Sequence, residues 1–216
     1  MNTKFFDCAN AWLERALDAL VPATCSACGG PNPVRSPFCI DCGEPAAILP
    51  CSLEGVPLVV AGAYESPLEA AIARFKFAGH SELARDLACL LVERLRPLGL
   101  ADAAFVPVPL HRARLAERGY NQSALLSSWL ARRLGGRSLP RVLERVRSTD
   151  QQARLGRGAR AENVRGAFRV RPGHVPPRVV LVDDVVTTGA TAKGCLKALH
   201  AAGSEVILVA ALARAQ

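Results

Sequence analysis

Over the first twenty residues, apolar side chains recur at Phe5, Ala9, Trp12, Leu13, Ala16, Leu17 and Leu20, broken by Asp7, Glu14, Arg15 and Asp18. That spacing predicts an amphipathic helix, too polar for a secretory leader or a membrane span. TCSACGGPNPVRSPFCIDCGEP follows, dense in Gly, Pro and Cys and without periodicity, which predicts a small loop-rich unit and then a connector over 45–57. Beyond it the pattern alternates. PLVVAGAY reads as a strand, PLEAAIARFKFAG and SELARDLACLLVERLRPLG as two helices, the second capped by Ser81, and AAFVPVP as a short buried strand. Leu125, Leu126, Trp129 and Leu130 mark the inner face of a helix over 120–134. A polar Arg/Gly-rich stretch over 135–165 is long for a connection and reads as a functional loop. GAFRV, the strand PRVVLVDD, a helix over 190–202 stopped by Gly203, and the strand EVILVAALA complete the chain. Strands apolar enough to be covered on both faces, alternating with helices, predict an α/β fold with a mostly parallel sheet flanked by helices. The expected division is an N-terminal helix and cysteine unit over 1–55 and a larger domain over 56–216.

Composition narrows this picture. With 216 residues, half of them hydrophobic, the chain can bury a substantial core. With no export signal visible the expected compartment is the cytoplasm, where thiols stay reduced and eight cysteines point to metal or catalysis rather than disulfides. The net charge of +8 is concentrated: 112–178 holds sixteen arginines and four acidic residues, while the remainder is net acidic. An arginine-rich stripe suits phosphate oxygens, although a merely solvated surface gives the same count.

Cys25, Cys28, Cys39 and Cys42 form C-x2-C-x10-C-x2-C, each pair followed by a glycine. A two-residue spacer lets both sulfurs of a pair face one ion, and the glycine permits the tight turn that aims N–H groups at thiolates. A structural zinc site is the expectation, with an iron–sulfur site or a redox pair as the alternatives. Cys8, Cys51, Cys89 and Cys195 lack that spacing, and Cys89 and Cys195 read as core residues.

VVLVDDVVTTGAT (179–191) sets two carboxylates at the end of an apolar strand and then turns small and hydroxylated. In a parallel sheet, ligands bind beyond the carboxyl ends of the strands. Successive N–H groups of a small-residue turn, with the positive end of the next helix, form an anion cradle. Acids beside such a cradle suit sugar hydroxyls, provided the strand breaks at Asp183 and Asp184 so that both can reach one ligand. The alternative is a strand running into a capped helix.

The same thirteen residues resemble the phosphoribosyl pyrophosphate (PRPP) signature of type I phosphoribosyltransferases. FVPVPLHRARLAERGYNQSALL, RVRSTDQQARL and NVRGAFRV extend the resemblance to the ComF family, whose members join a four-cysteine zinc unit to a phosphoribosyltransferase-like domain. That family is associated with competence and DNA uptake and has relatives linked to gluconate utilisation. Glu162, Asp150 and Gly156 depart from its usual pattern. The resemblance implies a type I phosphoribosyltransferase fold with catalytic Asp183 and Asp184. It implies a phosphate hook of Val185, Val186, Thr187, Thr188, Gly189, Ala190 and Thr191, and pyrophosphate contacts from Leu110, His111, Arg112 and Arg118. It also implies a mobile loop carrying Arg145, Arg147, Gln152 and Arg160, structural Zn2+ on the four cysteines, and Mg2+ with PRPP. Lys76 matches a family lysine. Asn121 is a candidate helix cap, and Trp12 and Trp129 read as packing residues.

Three functions follow as expectations. The first is a phosphoribosyl transferase releasing pyrophosphate, with an acceptor the sequence does not name. The second is a PRPP- or nucleotide-responsive protein that binds single-stranded DNA; with aromatics at 5% of the chain, such binding would be led by the backbone phosphates and sensitive to salt. The third is a zinc-stabilised adaptor for other competence proteins, not embedded in a membrane.

Overall fold

The computed structural model describes residues 23–34, 36–77, 79–147, 166–173 and 175–215. In chain order these form β1 (Cys51–Leu53), β2 (Val56–Ala63), α1 (Leu68–Phe77), α2 (Leu83–Leu95), a 3-10 turn (Arg96–Leu98), β3 (Ala104–Pro107), α3 (Arg112–Arg118) and α4 (Gln122–Leu134). They continue with β4 (Arg137–Ser138), β5 (Leu143–Arg145), β6 (Phe168–Val170), β7 (Arg178–Val186), α5 (Ala190–Ala201) and β8 (Glu205–Arg214). The expected first helix, with Trp12 and Cys8, lies outside the described residues.

Six strands make one sheet in the order β1-β2-β8-β7-β3-β4, while β5 and β6 form a separate ribbon. Every pairing in the large sheet is parallel except β1 with β2. The fold is therefore the mixed α/β arrangement with a mostly parallel sheet that the sequence pattern predicts. Its central strands β7 and β8 read as continuous apolar runs because both of their faces are covered.

Alternation along β7 divides the core. Val180 and Val182 join Phe75 of α1, Leu87 and Leu91 of α2, and Leu126 and Leu130 of α4. Val179 and Leu181 face the other way, into Cys195, Leu196 and Leu199 of α5. Each fully buried leucine here contributes about 1.5–3 kcal/mol relative to exposure. Cys25, Ala27, Phe38 and Cys39 belong to the first of these cores, so the cysteine unit packs on the α1–α2 layer.

Three local expectations are corrected, and one short helix is added. The strand expected to break at the acidic pair runs on to Val186, because β8 offers a parallel partner as far as Arg214. Ser81 does not cap α2: the cap position is Glu82, which makes no side-chain cap bond. Residues 112–118 form the short helix α3, because His111 caps its start. The polar stretch after α4 contains β4, which pairs with β3, and β5, which pairs with β6.

Candidate functional site

The four cysteine sulfurs come together. The Sγ atoms of Cys25, Cys28, Cys39 and Cys42 all lie within 4.8 Å of one another. Gly29 and Gly43 take φ of 76° and 72°, as a tight turn after each pair requires. The Gly30 N–H donates to Cys28 Sγ and the Cys39 N–H to Cys25 Sγ, both at 3.4 Å. Burial resists ionisation of Cys25, yet N–H groups of Cys28, Cys39 and Ala27 outweigh it and bring the thiol from 9.0 to about 6. Cys42 is driven the other way, from 9.0 to about 12, first by the Cys39 sulfur, then by burial and the sulfurs of Cys25 and Cys28. Four thiolates cannot coexist at this spacing without a counter-charge, and a metal cation supplies one.

Asp183 and Asp184 end up in different surroundings, because neighbouring strand residues point to opposite faces. Asp184 Oδ2 meets Lys76 Nζ at 3.2 Å, which ties the last turn of α1 to β7. Asp183 curls back: its Oδ1 accepts from the Asp184 N–H at 2.9 Å and from Ser123 Oγ at 3.3 Å. It is 8% exposed. Burial, followed by the charge of Asp184, pushes its carboxyl from 3.8 to about 7. The Asp184 N–H, Lys76 and Ser123 oppose that rise.

Beyond them, Thr187 and Thr188 are exposed and Gly189 is buried. Gly189 stands at the N-cap of α5 with φ of 74° and has no side chain to cap it, while Thr188 Oγ1 accepts from the Ala190 N–H at 3.4 Å. Beyond Ala190, the opening N–H groups of α5 have no intrahelical acceptor and point towards the turn. The β1–β2 hairpin braces this turn. A Cβ at residue 189 would lie 2.8 Å from Leu53 Cδ2, and Lys193 Nζ pairs with Glu54 Oε1 at 3.1 Å.

A cleft of about 600 Å³ lies between the start of α3 and the β5–β6 ribbon, lined by Leu110, His111, Arg112, Glu144, Arg145 and Arg171 among others. His111 caps α3, with its Nδ1 accepting from the Ala113 N–H at 3.4 Å, so the proton of a neutral ring sits on Nε2. Asn121 caps α4 by accepting from the Ala124 N–H, and its Nδ2 donates to the Val108 carbonyl at 3.0 Å. Arg145 stacks on Phe168, 5.7 Å from the ring centroid. Arg147 is exposed at the end of the ribbon. Gln152 and Arg160 lie outside the described residues. Arg118 donates to Gln122 Oε1 at 3.2 Å and stacks on Phe77 at 4.9 Å.

Sequence reading missed several participants. Arg74 Nη1 donates to the Cys25 and Ser26 carbonyls at 2.9 and 2.8 Å. Tyr120 donates its hydroxyl to the Phe75 carbonyl at 2.5 Å, so it is more than a packing residue. Ser123 and Phe77 also escaped notice. Periodicity ranks Arg74 and Lys76 as surface cations at a helix end; only the fold brings them to partners remote in sequence. Trp129 packs on the core as expected, with Arg132 and Arg133 over its ring. Cys195 is fully buried, and burial pushes its thiol well up, as suits a core residue.

No described helix is long and apolar enough to cross a membrane. No protein-family model matches the chain. Among solved structures it is similar to TT1426 from Thermus thermophilus, at 25% identity over 59% of this chain and 72% of that one, with a TM-score of 0.37. It is also similar to adenine phosphoribosyltransferase from Leishmania tarentolae, at 18% identity over 69% and 76%, with a TM-score of 0.38. Among curated proteins it is 41% identical to competence protein F of Haemophilus influenzae over 73% of this chain and 72% of the relative. It is 36% identical to the DNA utilization protein YhgH of Salmonella typhimurium over 88% and 89%. With identity of this degree across most of each relative's length, the chain belongs to the ComF family of competence protein F and YhgH.

Proposed function

We propose that the protein binds PRPP or a related 5-phosphoribosyl compound at the carboxyl end of β7, in the service of DNA uptake and use. The observation that carries this reading is the junction of Asp183 and Asp184 with an exposed Thr187–Thr188 turn that leads through Gly189 into the N-terminus of α5. N–H groups there suit a terminal phosphate, and carboxylates suit ribose hydroxyls. Because Asp183 and Asp184 diverge, Asp184 is the carboxylate that addresses the ligand, and Asp183, tethered by Ser123, fixes the backbone between them. The names of the relatives support the DNA-related role.

Two metals belong to this reading. Zn2+ on Cys25, Cys28, Cys39 and Cys42 is structural, since all four positions are filled by protein sulfur. Mg2+ bound with PRPP would supply positive charge against the pyrophosphate. In a transfer reaction the C1′–O bond to pyrophosphate breaks as a C1′–N bond to the acceptor forms. His111 and Arg112, which line the cleft, would meet that leaving group. Reduced zinc thiolates fit a cytoplasmic protein.

Thermal unfolding with Mg2+ and PRPP tests the site. The parent is expected to melt higher with both present and Asp184→Asn to lose the shift; equal stabilisation of the two would remove the assignment. The second reading, single-stranded DNA on the arginine stripe, draws support from the exposed Arg112, Arg132, Arg133, Arg137, Arg141, Arg169 and Arg171. It requires an affinity that falls steeply with salt.

A further inference from the structure

Three successive residues in the last turn of α1 fasten it to three different parts of the molecule. Arg74 Nη1 donates to the carbonyls of Cys25 and Ser26, at 2.9 and 2.8 Å. The other arm of the same guanidinium lies against Gly29, with Nη2 3.2 Å from where a Cβ on that residue would stand. Arg74 therefore spans the turn that carries Cys25 and Cys28. The Phe75 carbonyl, one of the last in the helix, accepts from the Tyr120 hydroxyl at 2.5 Å. The Phe75 ring is fully buried, in the core that also holds Cys25, Ala27, Phe38 and Cys39. Lys76 Nζ meets Asp184 Oδ2 at 3.2 Å, with both side chains mostly buried.

Consecutive residues of a helix point about 100° apart, so one rigid turn carries all three fastenings and a displacement at one is passed to the others. Metal on the four sulfurs fixes the backbone of Cys25, whose carbonyl is one of those that Arg74 holds. Without it the sulfurs of Cys28 and Cys25 keep only N–H contacts at 3.4 Å, from Gly30 and Cys39. At the other end, a charged N–H···O contact weakens quickly beyond about 3.2 Å, so a shift of the turn by a fraction of an ångström is felt by Lys76 and Asp184. We propose that Arg74 is a positioning residue: through it the metal-filled cysteine unit sets Lys76, and Lys76 sets the Asp184 carboxylate. Metal at the cysteines and a phosphoribosyl ligand at the end of β7 therefore strengthen each other's binding. This rests on the phosphoribosyl and zinc readings above and extends them by coupling two sites that neither reading joins. Arg94 provides the contrast. Its Nη2 donates to the Ala61 carbonyl at 2.9 Å from the last turn of α2, a fastening of the same chemistry made to β2 instead.

The test uses the zinc-loaded full chain and reads the coupling from both ends. Calorimetry with ribose 5-phosphate compares the parent with Arg74→Ala, Arg74→Lys and Arg94→Ala. Arg74→Ala is expected to bind the sugar phosphate at least about fivefold more weakly, the lower end of ordinary coupling between sites. Arg74→Lys is expected to recover part of that loss, and Arg94→Ala to bind as the parent does. An equal loss in Arg94→Ala would reduce Arg74 to a general support of the fold and overturns the proposal. Coupling is reciprocal, so saturating ribose 5-phosphate is expected to tighten zinc in the parent by a similar factor, measured at equilibrium against a chromophoric chelator. That gain is expected to vanish in Lys76→Met, which leaves the grip of Arg74 on the cysteine unit intact. The parent measurement needs no variant to fold: zinc affinity indifferent to bound ribose 5-phosphate overturns the coupling alone. Failure of the zinc-loaded parent to bind ribose 5-phosphate overturns the site reading and the coupling together.

Discussion

Arg74 Nη1 donates to the carbonyl oxygen of Cys25 at 2.9 Å, fastening the cysteine unit to the helix whose next polar residue, Lys76, holds Asp184. The same nitrogen reaches the Ser26 carbonyl at 2.8 Å. A guanidinium can serve two carbonyls in this way because its donors are fixed in a plane. Arg74→Ala is expected to cost about 1.5–3 kcal/mol, the usual range for charged hydrogen bonds. It is also expected to release metal to a chelator faster than the parent. Arg74→Lys should recover only part of either loss. Urea unfolding and competition with a chromophoric chelator read the two effects.

Breaking the pair between Lys76 and Asp184 leaves two adjacent carboxylates at the end of β7 with their cation gone. Both side chains of the pair are mostly buried, at 17% and 14% exposure. Lys76→Met is therefore expected to destabilise by about 1.5–3 kcal/mol. It should also move the Asp183 carboxyl further upward, since the lysine charge works to lower it. Titration followed by carbon-detected NMR of the aspartates checks the second outcome.

Asp183 gives the pH dependence its sign. Its carboxyl is raised from 3.8 to about 7 by burial and then by Asp184, so between those values the folded protein holds a proton that the unfolded chain gives up. This contribution to stability is full below about pH 4 and is lost as pH rises through about 7. Asp183→Asn, whose amide oxygen can still accept from the Asp184 N–H and Ser123, is expected to flatten that decline and to be the more stable protein at pH 8. Denaturant midpoints measured from pH 4 to pH 8 decide it. A parent whose stability rises across the window would contradict the assignment.

Gly189 couples the hook to the edge hairpin. With φ of 74° and Leu53 Cδ2 only 2.8 Å from where a Cβ would stand, Gly189→Ala meets both backbone strain and a clash. Left-handed backbone alone costs a non-glycine residue about 1–2 kcal/mol. A loss of at least that size in thermal or urea unfolding is expected, together with weaker PRPP-dependent stabilisation.

Much of the fold was legible because β7, β8 and their helices are strongly patterned. Val179 to Val182 alternate between two cores, and the apolar faces of α2 and α4 follow the helical period. The cysteine cluster was legible from spacing alone, since a two-residue spacer leaves the paired sulfurs few other places to go. What spacing could not convey was partnership at a distance. Lys76 and Asp184 are remote in sequence, as are Arg74 and Cys25, and their meeting depends on how α1 lies across β7 and the cysteine unit. The strand limit at Asp184 was misjudged for a related reason: carboxylates look like a stop, but the ladder to β8 carries the backbone on to Val186. Short strands such as β4, two residues long, leave no periodic trace and exist because β3 offers them an edge.

The described sheet is finished at one side by the three-residue β1 and at the other by the two-residue β4. Between them lie strands of up to ten residues, rich in valine and alanine, that would recruit foreign chains if left bare. Stunted outer strands offer an incoming peptide only a few unpaired backbone groups. Self-association through strand addition, and the fibres it seeds, is thereby discouraged by length alone.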